Sequence, residues 1–468
     1  MIAPLPFHRR VAQALDDPGL RTALDRATDR FRIQRAEGLA SLPDPDATRD
    51  RARAVREATL ARLDEHLGRF ADAVGELGGR VHWATDAAAA RAAVVGIARD
   101  AGARLAVKSK SMISEEVGLN PALEAGGVRV VESDLGEYII QLAGETPSHI
   151  VAPAIHKTRE QVGELFHRRL GVPLTDDPAE MTRVARSVLR DVYLKADLGI
   201  SGVNFGVAES GALSIVTNEG NASLATTAPR VHVALMGIER IVPTLADLAV
   251  MLRVLARSAS GQKLTVYTDL IRGPRRSGDP DGPGELHVVL VDNGRSRILG
   301  GPVAEILYCI RCGACLNACP VYREIGGHAY GSVYPGPVGA VLTPALEGVA
   351  EWSALPEASS LCGACREVCP VRIDIPKLLL RSRRAAVEAG RGSLWARLLL
   401  GSFAAAARRP RLFRLALAMA RRLSRLAAGR SGWIRRLPPP LSGWTASRDF
   451  PAFARHSFSE EWRRRRAT

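Results

Sequence analysis

Cysteine is absent from most of the chain. Residues 1–308 and 370–468 contain none, and all seven cysteines lie between them. An odd, clustered set of this kind argues against a disulfide framework and indicates metal binding in a reducing compartment. Long hydrophobic runs are also absent: no stretch reaches the ~18–20 apolar residues that span a bilayer, and the first residues lack the apolar core of a signal peptide. We therefore expect a cytoplasmic protein.

Lysine is absent from the last part of the chain, where arginine is abundant. Residues 391–468 contain 18 arginines, no lysine and three acidic residues, so this region alone accounts for the formal net charge of +15. The rest of the chain is neutral overall. Because no recognisable nucleic-acid-binding motif accompanies the arginines, we do not expect a nucleic-acid partner.

The hydrophobic pattern divides the chain into regions of different structure. Residues 1–75 are rich in Ala, Leu, Arg and Glu at helical spacing, which predicts helices. From about residue 80 to 300, short β-branched runs alternate with helical ones, which predicts an α/β domain with a largely parallel sheet. We expect an N-terminal helical segment (1–75), an α/β domain (76–300), a cysteine-bearing domain (301–385) and a basic helical tail (386–468).

The elements of the α/β domain can be placed from the same pattern. The predicted strands are VHWA, RLAVKS, VRVVES, HIVAPA, GALSIVT, VHVALMGI, KLTVYTDL and LHVVLVD. The predicted helices cover residues 86–100, 111–125, 156–168, 178–194 and 243–257.

The tail combines arginine with apolar residues at helical spacing over residues 393–427, interrupted by Pro410. Three interpretations of its amphipathic pattern remain open: packing on the cysteine-bearing domain or a partner subunit, peripheral contact with an anionic membrane at its inner face, or a solvated arginine-rich face. LPPPLSGW (437–444) is expected to break structure, and the final EWRRRRAT to fray. The apolar positions are Leu394, Leu398, Leu399, Phe403, Leu412, Leu415 and Met419.

Two cysteine motifs carry the strongest chemical signal. The first reads Cys-x2-Cys-x2-Cys-x3-Cys-Pro from Cys309 to Pro320, and the second reads Cys-x2-Cys-x3-Cys-Pro from Cys362 to Pro370. Paired CxxC motifs also occur in zinc sites, but a run of four cysteines before proline followed by a near copy is typical of ferredoxin-type iron–sulfur clusters. About 40 residues separate Cys319 from Ser359, more than in compact two-cluster ferredoxins. This larger separation favours a helical ferredoxin-like domain.

In two-cluster ferredoxins, the last cysteine of each motif binds the other cluster. Proline after that cysteine stops the local helix and turns the side chain away from its own loop. Small residues at Gly313 and Gly363 would let each loop curl close to a cluster. This rule predicts two sets of ligands: Cys309, Cys312, Cys315 and Cys369 for cluster 1, and Cys319, Cys362 and Cys365 for cluster 2.

The second cluster lacks one cysteine, because Ser359 stands where the first motif has Cys309. Both clusters are expected to be [4Fe–4S]. For cluster 2, three outcomes remain open: a [4Fe–4S] cluster with serine, water or a partner's ligand, a [3Fe–4S] cluster, or a labile fourth iron.

Long stretches around the motifs resemble a known family. CIRCGACLNACPVYREIGGHAYGSVYPGPVGAVLTP, SLCGACREVCPVRIDIPKLL and the upstream GVNFGVAESGALSIVTNEGNASLATTAPRVHVALMGIERIVPT are similar to the LutB (YkgF-like) family of lactate-utilisation iron–sulfur proteins. The resemblance covers roughly residues 60–385. It implies a LUD domain, with a fold similar to sugar-phosphate isomerases and CoA transferases, and cluster ligation by all seven cysteines.

The resemblance also implies a function. Members of this family serve a cytosolic system that oxidises L-lactate to pyruvate, with a cysteine-rich partner and a second LUD protein. We therefore expect an iron–sulfur electron-transfer subunit. Two alternatives remain: a redox sensor or scaffold, and an enzyme whose LUD domain acts on a small carboxylate.

Two residues of the LUD-like domain are candidates for such an activity. Glu209 lies between two apolar runs at a predicted strand bend, where it can act as a base or orient a ligand. Lys108 ends a predicted strand just before a helix, a position that suits an anion. The structural alternatives are a solvated glutamate in a turn and a loop that caps a helix through Ser109 or Ser111.

Overall fold

The computed structural model describes residues 6–392, 394–439 and 441–467. Predictions that extend over residues 1–5, 393, 440 and 468 lie, at those positions, outside the described residues. The chain divides into two compact units, Met1–Gly390 and Arg391–Thr468.

The first unit begins with four helices, which confirms the helical prediction for the described part of residues 1–75. Asp17 and Asp44 begin the second and third helices: each carboxylate accepts a hydrogen bond from the backbone N–H three residues later, and proline follows at the first helical position. The helices are α1 (Phe7–Leu15), α2 (Pro18–Ala40), α3 (Pro45–Ala61) and α4 (Leu63–Glu76).

Two sheets form the α/β domain. The larger has six parallel strands, and the central strand of residues 231–237 is buried along its whole length because both faces of the sheet are covered. The strands are β1 (Arg80–Ala84), β2 (Leu105–Lys108), β3 (Arg129–Glu132), β4 (Leu198–Gly202), β5 (Phe205–Val207), β6 (Ala212–Thr217), β7 (Val231–Gly237), β8 (Ile241–Val242), β9 (Tyr267–Ile271) and β10 (Glu285–Val291). The parallel sheet has the order β1-β10-β7-β4-β2-β3, and a second, mixed sheet has the order β8-β5-β6-β9. The predicted α/β class is therefore confirmed.

Helices connect these strands. They are α5 (Ala87–Asp100), α6 (Met112–Glu116), α7 (Leu119–Ala125), α8 (Leu135–Ala143), α9 (Arg159–Leu170), α10 (Pro178–Lys195), α11 (Asn221–Thr227), α12 (Leu245–Ala259) and α13 (Arg295–Leu299). Ser111 caps α6 by accepting a hydrogen bond from the backbone N–H of Ser114 at 3.2 Å.

Two predictions in this domain are wrong. Residues 149–154 form turns and not a strand, because His149 Nδ1 accepts hydrogen bonds from the backbone N–H groups two and three residues later and curls the chain. The helix predicted over 111–125 is broken at Gly118, whose φ of +64° separates α6 from α7. Strand β4 was not predicted, since its two glycines dilute the β-branched signal.

The cysteine-bearing region is built from short helices, as predicted. Residues 301–390, all of which are described, contain no strand. The helices are α14 (Ala314–Ala318), α15 (Pro320–Ile325), α16 (Gly336–Glu347), α17 (Ala364–Val368) and α18 (Ile375–Glu388). Phe70 of α4, Met236 of β7 and Leu316 of α14 belong to one hydrophobic core, so the helical segment, the LUD-like sheet and this region fold together.

The second unit, taken alone, is the basic tail. Its elements are α19 (Leu394–Ala407), α20 (Pro410–Ala428), β11 (Trp433–Ile434), β12 (Phe450–Pro451) and α21 (Phe458–Ala467). The expected fraying at the end is wrong for the described residues: α21 continues to Ala467, and Arg421 of α20 pairs with Glu460 at 3.2 Å. In the described parts of the chain, no helix has the length and apolar character to cross a membrane. The seven predicted apolar positions of the tail are all exposed.

Candidate metal centre

The first cysteine motif forms a tight loop that enters α14. Two left-handed residues shape it: Arg311, with φ of +59°, and Gly313, with φ of +75°. Arg311 places its backbone N–H 3.4 Å from Cys309 Sγ, so the sulfur accepts a hydrogen bond. Cys319 begins α15, where Pro320 occupies the first helical position. Cys319 does not line the cavity that the other three cysteines of its motif share.

Four cysteines from both motifs line one small cavity. They are Cys309, Cys312 and Cys315 of the first loop and Cys369, the last cysteine of the second. Burial and the neighbouring sulfurs act together here: burial raises the pKa of Cys312 to about 12 and that of Cys369 to about 11. These thiols are protonated at neutral pH without a metal, and binding of a metal would release their protons.

The remaining three cysteines are Cys319, Cys362 and Cys365. Burial raises the pKa of Cys365 to about 12, with further contributions from Cys319 and Cys362. Cys319 and Cys365 are buried, whereas Cys362 is exposed. The shared cavity contains the four cysteines predicted for cluster 1; the assignment of ligands to both clusters stays a prediction.

The surroundings of the sulfurs suit iron–sulfur clusters. Cys319 Sγ accepts a hydrogen bond from the backbone N–H of Tyr322 at 3.5 Å, and Cys369 Sγ accepts one from Ile373 at 3.3 Å. Backbone N–H groups directed at sulfur stabilise the negative charge of a thiolate-ligated cluster. Buried thiols, a shared cavity and N–H donors form a donor set that fits the predicted cofactor.

Arginines from the N-terminal helices hold the second motif, a feature that the sequence did not reveal. Arg49 Nη2 donates to the backbone carbonyl of Cys369 at 2.9 Å, and Arg35 Nη2 donates to that of Val368 at 2.6 Å. These partners are more than 300 residues apart in the chain, and no local pattern signals such contacts. The N-terminal helices therefore support the cysteine loops.

Both LUD-domain candidates make contacts that can serve structural roles, and their catalytic roles stay predictions. Lys108 is fully buried, and its ammonium group lies 2.9 Å from carboxylate oxygens of Glu115 and Glu132. Burial lowers its pKa, but these carboxylates reverse the effect and raise it above its usual value. Glu209 is exposed, and its Oε1 accepts a hydrogen bond from the backbone N–H of Leu245, where α12 begins. Both geometries point to structural roles.

A different cavity, of about 300 Å³, opens beside the ends of the parallel strands. Strand C-terminal ends are where open α/β sheets bind ligands. This cavity reaches the first cysteine loop, because Arg311 and Ile150 line both cavities. Its polar lining includes Lys110, Ser111, Asn204, Asn218, Glu219, Glu239, Arg240 and Tyr334.

Arg311 joins this cavity to a buried network of charges. Arg295 donates to Glu116 at 2.7 Å and to Glu239 at 2.6 Å, and Tyr334 donates to Glu116 at 2.6 Å. Burial alone would raise the pKa of Glu239, but Arg295 and Arg311 lower it. Arg311 also stacks over Tyr334, and among the described residues its Nη1 has no hydrogen-bond partner.

Comparisons with known proteins agree with this architecture. The LUD domain profile matches residues 67–291, the 4Fe-4S dicluster domain profile matches 305–373, and the profile of the C-terminal region of lactate utilisation protein B matches 382–467. A LUD domain joined to a 4Fe-4S dicluster domain defines an iron–sulfur protein.

Its relatives place it more narrowly. Lactate utilization protein B of Lysinibacillus sphaericus is 46% identical over 98% of this chain and 97% of its own length. The protein of the same name from Geobacillus thermodenitrificans is 47% identical over 89% of this chain and 88% of its own. The Escherichia coli protein named as the uncharacterized electron transport protein YkgF is 47% identical over 82% and 81%, respectively. The chain belongs to the lactate utilization protein B family.

A solved structure from Deinococcus radiodurans, described as a DUF162 family protein, also matches. It is 16% identical and covers 49% of this chain and 98% of its own. Its TM-score is 0.28, so this likeness carries no argument about the fold.

Proposed function

We propose that the chain is the iron–sulfur electron-transfer subunit of a complex that oxidises L-lactate to pyruvate. The observation that carries the proposal is the cavity lined by Cys309, Cys312, Cys315 and Cys369, in a chain of the lactate utilization protein B family. Oxidation of lactate releases two electrons and two protons, and iron–sulfur clusters exchange electrons one at a time. Two clusters in one chain match that stoichiometry.

In this proposal the two cysteine groups hold separate clusters. Cys309, Cys312, Cys315 and Cys369 hold cluster 1, and Cys319, Cys362 and Cys365 hold cluster 2. When bound, the clusters supply one-electron transfer. The protein buries five of the seven cysteines and donates backbone N–H groups to Cys309, Cys319 and Cys369. Each motif contributes cysteines to both clusters in this proposal. The backbone of each motif therefore connects the two cluster sites directly.

The partners in this proposal are a cysteine-rich subunit and a second LUD-type subunit in the cytoplasm. Cys362 is the one exposed cysteine of the seven, all of which are described. An exposed ligand brings cluster 2 to the surface, where a partner subunit can approach within electron-transfer range. Cluster 1 lies deeper, beside the LUD-domain cavity.

An anaerobic reduction experiment tests this role. L-lactate added to the chain together with its partner subunits should reduce the clusters, seen as loss of their visible absorption and gain of an EPR signal. The chain alone and D-lactate are the controls, and neither should give the signal. A complex that oxidises lactate at an unchanged rate when Cys312→Ala and Cys365→Ala are combined would contradict the proposal.

A second role is favoured by the cavity of about 300 Å³: binding of a small carboxylate by the LUD domain. Arg311 lines this cavity, and its Nη1 is buried without a hydrogen-bond partner among the described residues. A guanidinium is well suited to a carboxylate because it presents a planar set of donors. In this role Arg311 and Lys110 bind the ligand, and Glu209 and Lys108 do not.

Calorimetric titration of the cluster-loaded chain with L-lactate tests the cavity. Arg311→Gln should weaken binding about tenfold or more, as loss of a charged hydrogen bond of about 1.5–3 kcal/mol implies. Arg311→Lys keeps the charge and should lose less. Glu209→Gln should bind like wild type. Undetectable binding of L-lactate to wild type would contradict this role. So would a loss of affinity in Glu209→Gln equal to that in Arg311→Gln.

The contact made by the basic tail is also part of the proposal. Leu398, Leu415 and Met419 are exposed beside many arginines. Such a surface suits an acidic partner subunit or anionic lipids. Co-sedimentation with phosphatidylglycerol vesicles separates the two: strong, salt-sensitive binding of the full chain favours lipid, and no binding favours the partner subunits.

A further inference from the structure

The second cysteine loop has left-handed residues at the same two positions as the first, although it begins with serine. Leu361 has φ of +55° where the first loop has Arg311 at +59°. Gly363 has φ of +88° where the first loop has Gly313 at +75°. Left-handed φ is uncommon for a leucine or an arginine. Two such residues at equivalent positions therefore indicate one loop design used twice.

The side chain that begins each loop makes the same hydrogen bond. The backbone N–H of Arg311 donates to Cys309 Sγ at 3.4 Å, and the backbone N–H of Leu361 donates to Ser359 Oγ at 3.1 Å. Relative to its loop, the oxygen of Ser359 thus occupies the place of the sulfur of Cys309.

The main chain at this position is also held in the same way. Arg240 Nη1 donates to the carbonyl of Cys309 at 2.9 Å, and Arg383 Nη2 donates to the carbonyl of Ser359 at 2.9 Å. Arg383 is fixed in turn by a second bond, from its Nε to the carbonyl of Pro356 at 2.8 Å. Each loop therefore has its first residue anchored by an arginine from outside the motif. Ser360, one residue later, is exposed.

A serine oxygen that accepts from the N–H two residues later is also an ordinary turn-forming device. Here, however, the same bond is made by a cysteine in the loop that lines the cavity of cluster 1. A turn device alone does not account for the matched left-handed residues or the matched arginine anchor.

We propose that Ser359 Oγ is the fourth protein ligand of cluster 2; this inference rests on the proposed binding of that cluster by Cys319, Cys362 and Cys365. The hydroxyl releases its proton to solvent when the oxygen binds iron, as a cysteine thiol does, so the ligand charge is the same. Oxygen is a harder ligand than thiolate, and iron in these clusters prefers sulfur. The iron at this corner is therefore distinct from the others and more readily lost once Ser359 is removed.

Mössbauer and EPR spectroscopy of the full chain, enriched in ⁵⁷Fe and purified anaerobically, test the proposal. Wild type and the control Ser360→Ala should contain two [4Fe–4S] clusters, with one spectroscopically distinct iron. Ser359→Ala should lose about one iron atom per chain on mild oxidation and gain a [3Fe–4S] EPR signal. Ser359→Cys should keep two [4Fe–4S] clusters and lose the distinct iron.

The outcomes separate this inference from the function on which it rests. Wild type without iron and sulfide would overturn the cluster proposal itself. Two intact [4Fe–4S] clusters with the same spectrum in wild type and Ser359→Ala would overturn only the role of Ser359, as would a [3Fe–4S] cluster in freshly prepared wild type. If Ser359→Ala fails to fold, Ser359→Cys decides: a distinct iron that survives this substitution binds water or another ligand and contradicts the proposal.

Discussion

At the residue scale, the conformation of single residues sets the shape of the cysteine loops. The sequence suggested that Gly313 and Gly363 are small so that each loop can approach a cluster. The structure adds a second reason, since both have positive φ. They differ in surroundings: a Cβ on Gly313 would lie 3.0 Å from a ring carbon of His149, whereas a Cβ on Gly363 would have no described protein atom within 4 Å.

This difference leads to a prediction for two matched alanine variants. Each variant places an alanine at positive φ, which destabilises the fold by roughly 1 kcal/mol. Only Gly313→Ala also displaces His149. Gly313→Ala should therefore lower the melting temperature of the anaerobic, cluster-loaded protein clearly more than Gly363→Ala. Equal melting temperatures would show that His149 does not confine the first loop.

Residue chemistry was predictable where spacing alone determines it. The seven cysteines could be identified because iron–sulfur motifs are local in sequence. Lys108 lies at the end of a strand, as predicted, but its pairing with Glu132 comes from a neighbouring strand and has no local signal. Arg311 lay between two predicted ligands, and only the fold shows that it also reaches the LUD-domain cavity.

At the scale of elements, the N-terminal helices connect the LUD-like domain to the cysteine-bearing region. Arg56 of α3 is fully buried and donates to the carbonyls of Ile241 at 2.8 Å, Leu307 at 3.0 Å and Glu239. One side chain thus connects α3 with the LUD-like domain and with the segment that leads into the first cysteine loop. Burial lowers the pKa of Arg56 to about 9.

Removal of this connection should destabilise the first unit as a whole. Arg56→Met leaves three buried carbonyls without their donor, at a cost of about 3 kcal/mol or more. Thermal unfolding of the cluster-loaded protein should occur at a clearly lower temperature. Arg62→Met is the control, since that side chain is 65% exposed and pairs with Glu65. Equal effects of the two substitutions would contradict the role of Arg56.

Helical periodicity predicted the N-terminal helices and most of the α/β elements. The hydrophobic pattern was wrong at residues 149–154, where Ile150 and Val151 resemble a strand, but the hydrogen bonds of His149 impose turns. It missed Leu198–Gly202, whose burial between two strands supports a strand despite its glycines. In both places, contacts distant in sequence or specific side-chain bonds outweigh local propensity.

At the scale of the whole molecule, the sequence predicted separate regions at 1–75, 76–300 and 301–385. The structure packs these regions into the single unit Met1–Gly390. The reason is physical: the hydrophobic core is continuous, and the network of Glu239, Arg295 and Arg311 crosses from the sheet to the first cysteine loop. Region boundaries drawn from periodicity cannot reveal such shared burial.

The central claim is that each cluster draws its ligands from both cysteine motifs. EPR spectra of four variants of the full chain, reduced anaerobically, test it most directly. Cys369→Ala should lose the same cluster signal as Cys309→Ala, although the two residues lie in different motifs, and Cys319→Ala should lose the other signal, together with Cys362→Ala. If Cys369→Ala instead removed the signal that Cys362→Ala removes, each motif would hold its own cluster, and the account would be wrong.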